Sequence, residues 1–412
     1  MALEMRVLEQ DEWDVWFDHL ELAFGGVAES PQGRELFRSL TEPARSLGVW
    51  DGAECVGSAS AFSFRVAVPG GALVPAAGVT MVGVTPTHRR RGVLSSLMRR
   101  QLDDVRVAGE ALAVLTASDP AIYGRFGYGT ATYSVALEVD TARVRLNVPP
   151  GTDGVRLRLV DPVRALPDCE RVYAQLVARR PGMLARQPGW ERAAVSDPPE
   201  DRGGASPLKC VVAERADGGV AGYARYRVKA DWSAAGSEGK VEVADLDALD
   251  PAATAALWRY LFSIDLTWTV RTGKRPVDDP LLHLVSDVRW SRPTVRDGLH
   301  VRLVDLPAAL EARAYGAAVD VVLEVEDAFC PWNAGRWRLT VAANGAKASC
   351  TRTSDPAELA LSVRELGAVY LGGVALGALA AAGRVRELRP GALTEASRAF
   401  AGDVAPWLPH GF

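Results

Sequence analysis

Cysteine and histidine are scarce in this sequence, whose 412 residues contain only five of each. The histidines show neither H-x-x-x-H nor H-E-x-x-H spacing, and the cysteines form no C-x-x-C pair. Because these are the spacings of common zinc sites, we expect no metal. An odd number of scattered cysteines also favours a reducing, cytoplasmic compartment over a disulfide framework. The five cysteines are Cys55, Cys169, Cys210, Cys330 and Cys350.

Long apolar runs and a strong excess of one charge are missing as well. The first twenty residues carry acidic side chains throughout and have no apolar core of the signal-peptide type. The most apolar stretch, Ala368–Gly383, is short and rich in alanine and glycine, which favours a buried helix over a membrane span. The 47 basic and 51 acidic residues give a net charge of −4. We therefore expect neither a membrane nor a nucleic acid as a partner.

What remains is a chain of globular composition, 48% hydrophobic and 24% charged, with room for roughly two to four domains. Loops rich in proline, glycine and charge divide it into segments 1–146, 155–292 and 295–412. The first segment alternates strands and helices, as in an α/β fold, and the second roughly repeats that order. The third reads as an α+β module.

Two parts of these segments carry definite predictions of secondary structure. In the first segment we predict a strand at Val79–Val84, a helix at Val93–Val107 and a strand at Leu112–Thr116. In the third segment we predict helices at Asp355–Leu366 and Val374–Ala382.

The strongest local signal is V-G-V-T-P-T-H-R-R-R-G-V-L-S, from residue 82 to residue 95. A glycine at a helix start, where backbone N–H groups are unpaired and the helix dipole is positive, is typical of a phosphate site. Arg90 and Arg91 could add charge-assisted hydrogen bonds to the same phosphate. The simpler alternative is a surface turn that happens to be rich in arginine. A second R-x-x-G, Arg179–Gly182, follows no such strand, and we interpret it as a chance match.

This stretch resembles the acetyl-coenzyme A motif of the GNAT superfamily, R/Q-x-x-G-x-G/A. Arg89, Gly92 and Leu94 stand at its three positions, and Leu94 departs from the small third residue. Together with I-Y-G-R-F-G-Y-G at residues 122–129 and the terminal Phe412, the whole chain resembles the enhanced-intracellular-survival (Eis) family of N-acetyltransferases.

The resemblance implies a fold and an activity. The fold would combine α/β and α+β parts: a catalytic GNAT domain (1–146), a second, degenerate GNAT-like domain (155–292) and a sterol-carrier-protein-like domain (295–412). The activity would be transfer of an acetyl group from acetyl-CoA to an aminoglycoside-like or other polyamine, directly and within a ternary complex. The family also implies a small-molecule amine as partner and a homo-oligomer, namely a hexamer.

Individual roles are implied in the same way. Tyr123 would be the proton donor to the departing thiolate, with Tyr128 as the competing candidate. The C-terminal carboxylate of Phe412 would be the proton acceptor, whereas an ordinary chain end is frayed. Acetyl-CoA would be bound by a splayed strand, by the phosphate cradle and by two residues before Pro120. These residues are Val82, Gly83, Val84, Arg90, Arg91, Gly92, Val93, Leu94, Ser95, Ser118 and Asp119.

Several alternatives stay open at this point. Ser118 and Asp119 also fit a helix N-cap followed by proline. Carboxylates that could hold a polycationic substrate are few, and Glu21 and Glu29 fit solvated helix charges equally well, so a smaller or more apolar amine remains possible. The alternative function is a lipid-binding, sterol-carrier-like protein with a vestigial acetyltransferase domain, in which Ala368–Gly383 would line a cavity.

Overall fold

The computed structural model describes residues 3–234, 236–343 and 347–412, and it arranges them in three large sheets flanked by helices. The first third of the chain alternates strands with helices. Its strands are β1 (Glu4–Val7), β2 (Leu47–Asp51), β3 (Glu54–Ala67), β4 (Leu73–Val84), β5 (Leu112–Thr116) and β6 (Gly129–Thr130). Its helices are α1 (Trp13–Ala23), α2 (Pro31–Leu40), α3 (Val93–Val107) and α4 (Pro120–Tyr123). The predicted helix and both predicted strands of this region are therefore present, the first strand starting earlier than predicted.

The middle third repeats the alternation of strands and helices. Its strands are β7 (Tyr133–Asp140), β8 (Arg156–Val160), β9 (Leu184–Ala185), β10 (Lys209–Glu214), β11 (Val220–Lys229), β12 (Trp232–Ser233), β13 (Gly236–Ser237), β14 (Gly239–Ala248), β15 (Thr267–Pro276) and β16 (Thr294–Asp297). Its helices are α5 (Leu166–Val177), α6 (Pro251–Phe262) and α7 (Leu281–Leu284).

The last third is built around a smaller sheet. Its strands are β17 (Leu299–Leu303), β18 (Val319–Glu326), β19 (Gly335–Val341), β20 (Ala348–Arg352), β21 (Leu359–Ser362) and β22 (Val385–Glu387). Its helices are α8 (Leu306–Glu311), α9 (Val363–Val369), α10 (Leu376–Ala381) and α11 (Ala392–Phe400).

The first two sheets exchange strands across the segment boundaries expected from the sequence. The first sheet has the order β1-β2-β3-β4-β5-β17-β6, so β17, from the start of the third segment, lies beside β5. The second sheet has the order β16-β7-β15-β14-β11-β10-β8, so it contains β7, from the end of the first segment. Each of these sheets has one parallel pair, β4–β5 and β14–β15 respectively. The segments therefore contribute strands to each other's sheets and do not form separate structural units along the chain.

The third sheet, in the order β20-β19-β18-β21-β22, corrects one prediction. A helix was expected at Asp355–Leu366, but Leu359–Ser362 is a strand that pairs with both β18 and β22. The helix begins only after Ser362, whose side chain accepts a hydrogen bond from the backbone N–H of Arg364 and forms a capping box with Glu365. Burial between two strands thus overrides the helical preference of Ala, Glu and Leu.

The hydrophobic cores follow the interlocked sheets. One large cluster runs without interruption from the first domain into the third and includes Phe62, Val301, Leu323 and Tyr370. The middle domain has a core of its own around Trp258. Because the first and third domains share a core, a disturbance in one is transmitted to the other.

Candidate active site

A cavity of about 760 Å³ opens between the C-terminal half of β4, the start of α3 and the end of α4. It brings together most of the residues that were predicted to bind the cofactor, and Tyr123 as well. The predicted residues in its wall are Val82, Gly83, Val84, Arg90, Gly92, Val93, Leu94, Ser95, Ser118, Asp119 and Tyr123. Arg91 and Phe412 are not among the residues that line it.

The start of α3 has the geometry of an anion cradle. Gly92 adopts a left-handed φ of 85°, and Arg90, two residues earlier, has a φ of 61°. No side chain caps the helix, and nothing lies within 4 Å of the position that a Cβ on Gly92 would take. The first N–H groups of the helix therefore face open space, where the helix dipole favours a negative charge. These features fit a pyrophosphate.

The cavity side of β4 has free backbone groups because β4 and β5 separate. Their parallel pairing ends at Gly78 and Val114, six residues before β4 itself ends. On the other edge, the pairing with β3 is interrupted by a bulge in which Met81 and Val82 lie opposite the single residue Ala59. Met81 has a φ of 52°, and its carbonyl accepts a hydrogen bond of 2.9 Å from the Ser58 hydroxyl. A strained residue held in this way is typical of functional sites.

Tyr123 and Tyr128 lie in the same loop but in different surroundings. Tyr123 ends α4 and lines the cavity; burial, with a smaller effect of the Asp119 charge, raises the pKa of its phenol. The phenol is therefore protonated at neutral pH, as a proton donor must be. Tyr128 is completely enclosed, and its hydroxyl has no hydrogen-bond partner among the described residues. The two rings form an edge-to-face pair with centroids 6.0 Å apart.

Asp119 combines the two roles that the sequence left open. Its carboxylate accepts a hydrogen bond of 3.0 Å from the backbone N–H of Ala121 and so caps α4, which starts with Pro120. It also lines the cavity next to Ser118. The cap fixes the short helix that carries Tyr123.

The glycines of the loop after Tyr123 allow the third domain to approach closely. A methyl group on Gly129 would overlap the carbonyl oxygen of Arg364 and the amide nitrogen of Ala368, both in α9. One on Gly124 would lie 2.8 Å from the Arg364 guanidinium. Gly127 has a φ of 87° and faces Arg302, a buried side chain that is bonded to Asp327. Helix α9 of the third domain is therefore packed directly on the loop that carries the phenol.

The C-terminal tail is held in place, contrary to the frayed end of an ordinary chain. The backbone N–H of Trp407 donates to the carbonyl of Pro181, and Arg180 donates to the carbonyl of Ala405. The second R-x-x-G, at residues 179–182, is thus part of the tail's binding site. His410 contacts the Tyr173 hydroxyl at 3.2 Å, and burial together with nearby cations lowers the pKa of this histidine to about 3.

Phe412 ends the tail beside the first sheet. Its ring packs edge-to-face on Phe64 at 5.0 Å, and Phe64 in turn packs on Trp190. A Cβ on Gly78 would lie 3.3 Å from the Phe412 ring. Because Gly78 is the last residue of β4 that pairs with β5, the terminal residue lies where the two strands begin to separate.

The middle domain lacks an open cradle at the corresponding helix. Helix α6 follows β14 as α3 follows β4, but its first residue is Pro251, which has no N–H. Its N-cap, Asp250, accepts a hydrogen bond of 2.9 Å from the N–H of Ala253. A carboxylate therefore already occupies the place where α3 leaves its N–H groups open.

Metal ligands, reactive cysteines and membrane-spanning helices are not apparent in the part of the chain that the structure describes. Across residues 3–234, 236–343 and 347–412, no group of three or more His, Cys, Asp or Glu side chains could hold a metal ion. All five cysteines are buried and free, and burial raises the pKa of Cys55 to about 11. Of the helices formed by these residues, none has both the length and the apolarity that a membrane crossing requires.

Comparison with known proteins decides the family. Residues 4–131 and 182–303 each match an acetyltransferase (GNAT) domain family, and residues 306–409 match a sterol carrier protein domain. The N-acetyltransferase Eis of Mycobacterium bovis is 35% identical over 408 residues, which cover 96% of each chain. The chain belongs to the Eis family of GNAT N-acetyltransferases. An N-acetyltransferase of Streptomyces avermitilis is 65% identical over the full length of both chains.

The Eis fold accounts for the whole molecule. The crystal structure of Eis1 from Mycobacterium abscessus superposes with a TM-score of 0.84 at 34% identity and covers both chains completely. The predictions of an N-acetyltransferase and of two GNAT domains followed by a sterol-carrier-like domain are confirmed. Sequence reasoning did not find Phe24 and Arg125 in the cavity wall. Arg125 could have been found, since it lies inside the Y-G-R-F-G-Y-G motif.

Proposed function

We propose that this Eis-family acetyltransferase uses acetyl-CoA and passes the acetyl group directly to a primary amine while both substrates are bound. The observation that carries the proposal is the single cavity in which the uncapped start of α3, the free edge of β4 and Tyr123 meet. Arg90 and Gly92 to Ser95 would hold the pyrophosphate. Backbone N–H groups at the bulge of β4 would donate to the thioester oxygen as it becomes negative.

In the proposed reaction the acetyl group passes from the thioester to the amine directly, without a covalent bond to the enzyme. The amine nitrogen bonds to the carbonyl carbon, the carbon–sulfur bond breaks, and Tyr123 gives its proton to the departing thiolate. The terminal carboxylate of Phe412 takes the proton that the amine nitrogen loses. Direct transfer is supported by the cysteines, since each is buried and none lines the cavity.

The acceptor class follows from the family resemblance. The family resemblance implies aminoglycosides and other polyamines, and these are the first compounds to test. A cytoplasmic location and assembly as a homo-oligomer, a hexamer by resemblance, remain predictions from the sequence. A lipid-carrying function gains no support: the Ala368–Gly383 stretch splits into the end of α9 and α10, and α9 packs on the catalytic loop.

The test is thiol release from acetyl-CoA by the purified protein without a C-terminal tag. The amine panel should span aminoglycosides, polyamines, lysine peptides and arylalkylamines. We expect release that depends on the amine and a ternary-complex pattern in two-substrate kinetics. If coenzyme A binds but no amine raises release above the blank, the proposed function is wrong. Parallel double-reciprocal lines would instead contradict direct transfer.

A further inference from the structure

A second cavity, of about 330 Å³, lies beside the C-terminal tail and has a cationic wall. Ser118 lines this cavity as well as the cofactor cavity, so the two adjoin. Lys274 of β15 and Arg296 of β16 approach it from the second sheet, and His410 of the tail closes another side. We refer to it as the tail cavity.

The two cations of the tail cavity have no counter-ion. In the regions the structure describes (3–234, 236–343 and 347–412), neither Lys274 nor Arg296 forms an ion pair or a side-chain hydrogen bond. Both side chains are exposed, and partial desolvation, followed by the charge of Arg296, lowers the pKa of the Lys274 ammonium. Two like charges placed together without a partner repel each other, and a bound anion would relieve that repulsion.

The remaining polar groups of the wall neutralise these cations only in part. Asp297 is the acid among the lining residues, so it offsets one of the two positive charges, and its carboxylate lies 2.9 Å from the Nε2 of His300 without pairing with Lys274 or Arg296. His410, with its pKa lowered to about 3, is neutral at pH 7. The tail cavity therefore carries a positive charge close to neutral pH.

Lys274 lies next to the proposed catalytic carboxylate without being paired to it. Its Nζ is 3.4 Å from the position that a Cβ on Gly411 would take, one residue before the chain end. No ion pair within 4.0 Å joins it to the terminal carboxylate in the described structure. An acceptor whose amine reaches that carboxylate would therefore pass within reach of the Lys274 ammonium.

Glu21 and Glu29, the two acids that the sequence offered for a polycation, already have hydrogen-bond partners. Glu21, in α1, accepts hydrogen bonds from the backbone N–H of Glu29 and from Arg34. Glu29 accepts from the backbone N–H of Ser30. The loop between them contributes Phe24 to the cofactor cavity, which is an apolar contact. Nothing in this region offers a free carboxylate to a second ammonium group.

We propose that the tail cavity is an anion subsite of the acceptor, so that the amine acetylated by this enzyme carries a carboxylate, which Lys274 and Arg296 receive. The inference rests on the proposed function and narrows its substrate class. A guanidinium and an ammonium both form charge-assisted hydrogen bonds with a carboxylate, and the guanidinium can do so with two N–H groups at once. An aminoglycoside, whose ionised groups are all cationic, would form no favourable ion pair with Lys274 or Arg296.

The test compares pairs of amines that differ only by a carboxylate: lysine with cadaverine, tyrosine with tyramine, and histidine with histamine. For each pair the ratio of kcat/KM values is measured for the wild type, Lys274→Met, Arg296→Met and Lys274→Glu. Lys240→Met is the matched control, because Lys240 lies on the neighbouring strand β14 and does not line the tail cavity. Because ratios are compared between variants, differences in amine nucleophilicity cancel.

We expect the carboxylated amine of at least one pair to be preferred by the wild type. Each methionine variant should lower that ratio about tenfold, chiefly through KM, and Lys274→Glu should lower it further. Lys240→Met should leave it unchanged. If the ratios are the same in all variants, or if Lys274→Met slows both members of a pair equally, the subsite is refuted while the acetyltransferase stands. If no amine is acetylated, the proposed function itself has failed.

Discussion

At the scale of single residues, the position of an ionisable group decides its use more than its chemical type. Tyr123 and Tyr128 are five residues apart in one glycine-rich loop, yet only Tyr123 reaches the cavity. Sequence motifs located this loop correctly. They could not locate Lys274 or Arg296, because these residues belong to strands of another sheet that fold back beside the tail.

Replacing Tyr123 by phenylalanine should lower kcat with a small effect on coenzyme A binding, since only the proposed proton donor is removed. A loss of about 10²-fold is expected from general-acid catalysis. Tyr128→Phe is the matched control. It removes a buried hydroxyl that has no partner, so kcat and stability should stay near those of the wild type. Steady-state thiol release measures kcat, and calorimetry measures coenzyme A binding. Equal losses of kcat in the two variants would show that the assignment is wrong.

The burial of His410 predicts how the stability of the protein depends on pH. Its pKa is lowered to about 3 in the folded protein, mainly by burial, whereas the pKa of an unfolded histidine is about 6.5. The unfolded chain therefore binds an extra proton below pH 6.5, and stability that is present above that pH is lost as the pH falls toward 3.

Replacing His410 by glutamine should remove this contribution. Between pH 7 and pH 4 the variant should lose about 3 kcal/mol less unfolding free energy than the wild type, measured by urea denaturation. His283→Gln, at an exposed histidine, should follow the wild type. A His410→Gln curve parallel to that of the wild type over this range would contradict the burial of a neutral imidazole.

At the scale of elements, the sequence predicts those whose pattern is local and fails where pairing is distant. The predicted helix Val93–Val107 has the observed bounds because its apolar spacing and starting glycine are both local signals. Within this helix Leu94 lies partly exposed in the cavity wall, whereas the polar Gln101 is buried and donates a hydrogen bond to the carbonyl of Ser60. The strand β21 was missed because its two partners lie elsewhere in the chain.

The two ends of α3 provide a test of the anion cradle. Gly92 and Gly109 have similar left-handed φ values, 85° and 75°, and neither has an atom within 4 Å of a Cβ. Alanine at either position should cost about 1 kcal/mol of stability through backbone strain. Only Gly92→Ala should also weaken coenzyme A binding, by about tenfold, because its methyl group enters the cradle. Equal affinities of the two variants for coenzyme A, measured by calorimetry, would argue against the cradle.

At the scale of the whole molecule, the third domain supports the first in two ways. It packs α9 on the loop that carries Tyr123, and it sends the chain end back toward the first sheet. The order of the domain types could be read from the sequence. The exchange of β7 and β17 could not, since a strand's local pattern is the same whichever sheet it joins.

The packing of α9 predicts that Gly129→Ala disturbs catalysis as well as stability. The added methyl group cannot fit against Arg364 and Ala368, so α9 and the loop that carries Tyr123 must separate. We expect a loss of about 1–3 kcal/mol in unfolding free energy and a lower kcat with coenzyme A still bound. Gly377→Ala in α10, where nothing lies within 4 Å, should be neutral or stabilising. A normal kcat in folded Gly129→Ala would contradict a supporting role for the third domain.

The most direct test of the account is to move the terminal carboxylate without removing the ring that positions it. One glycine added after Phe412 keeps the packing on Phe64 but shifts the carboxylate by about 3.5 Å. Thiol release should then fall by about 10²-fold or more, while coenzyme A affinity and thermal stability stay unchanged. If the extended protein acetylates amines at the wild-type rate, the terminal carboxylate is not the proton acceptor, and the central claim is contradicted.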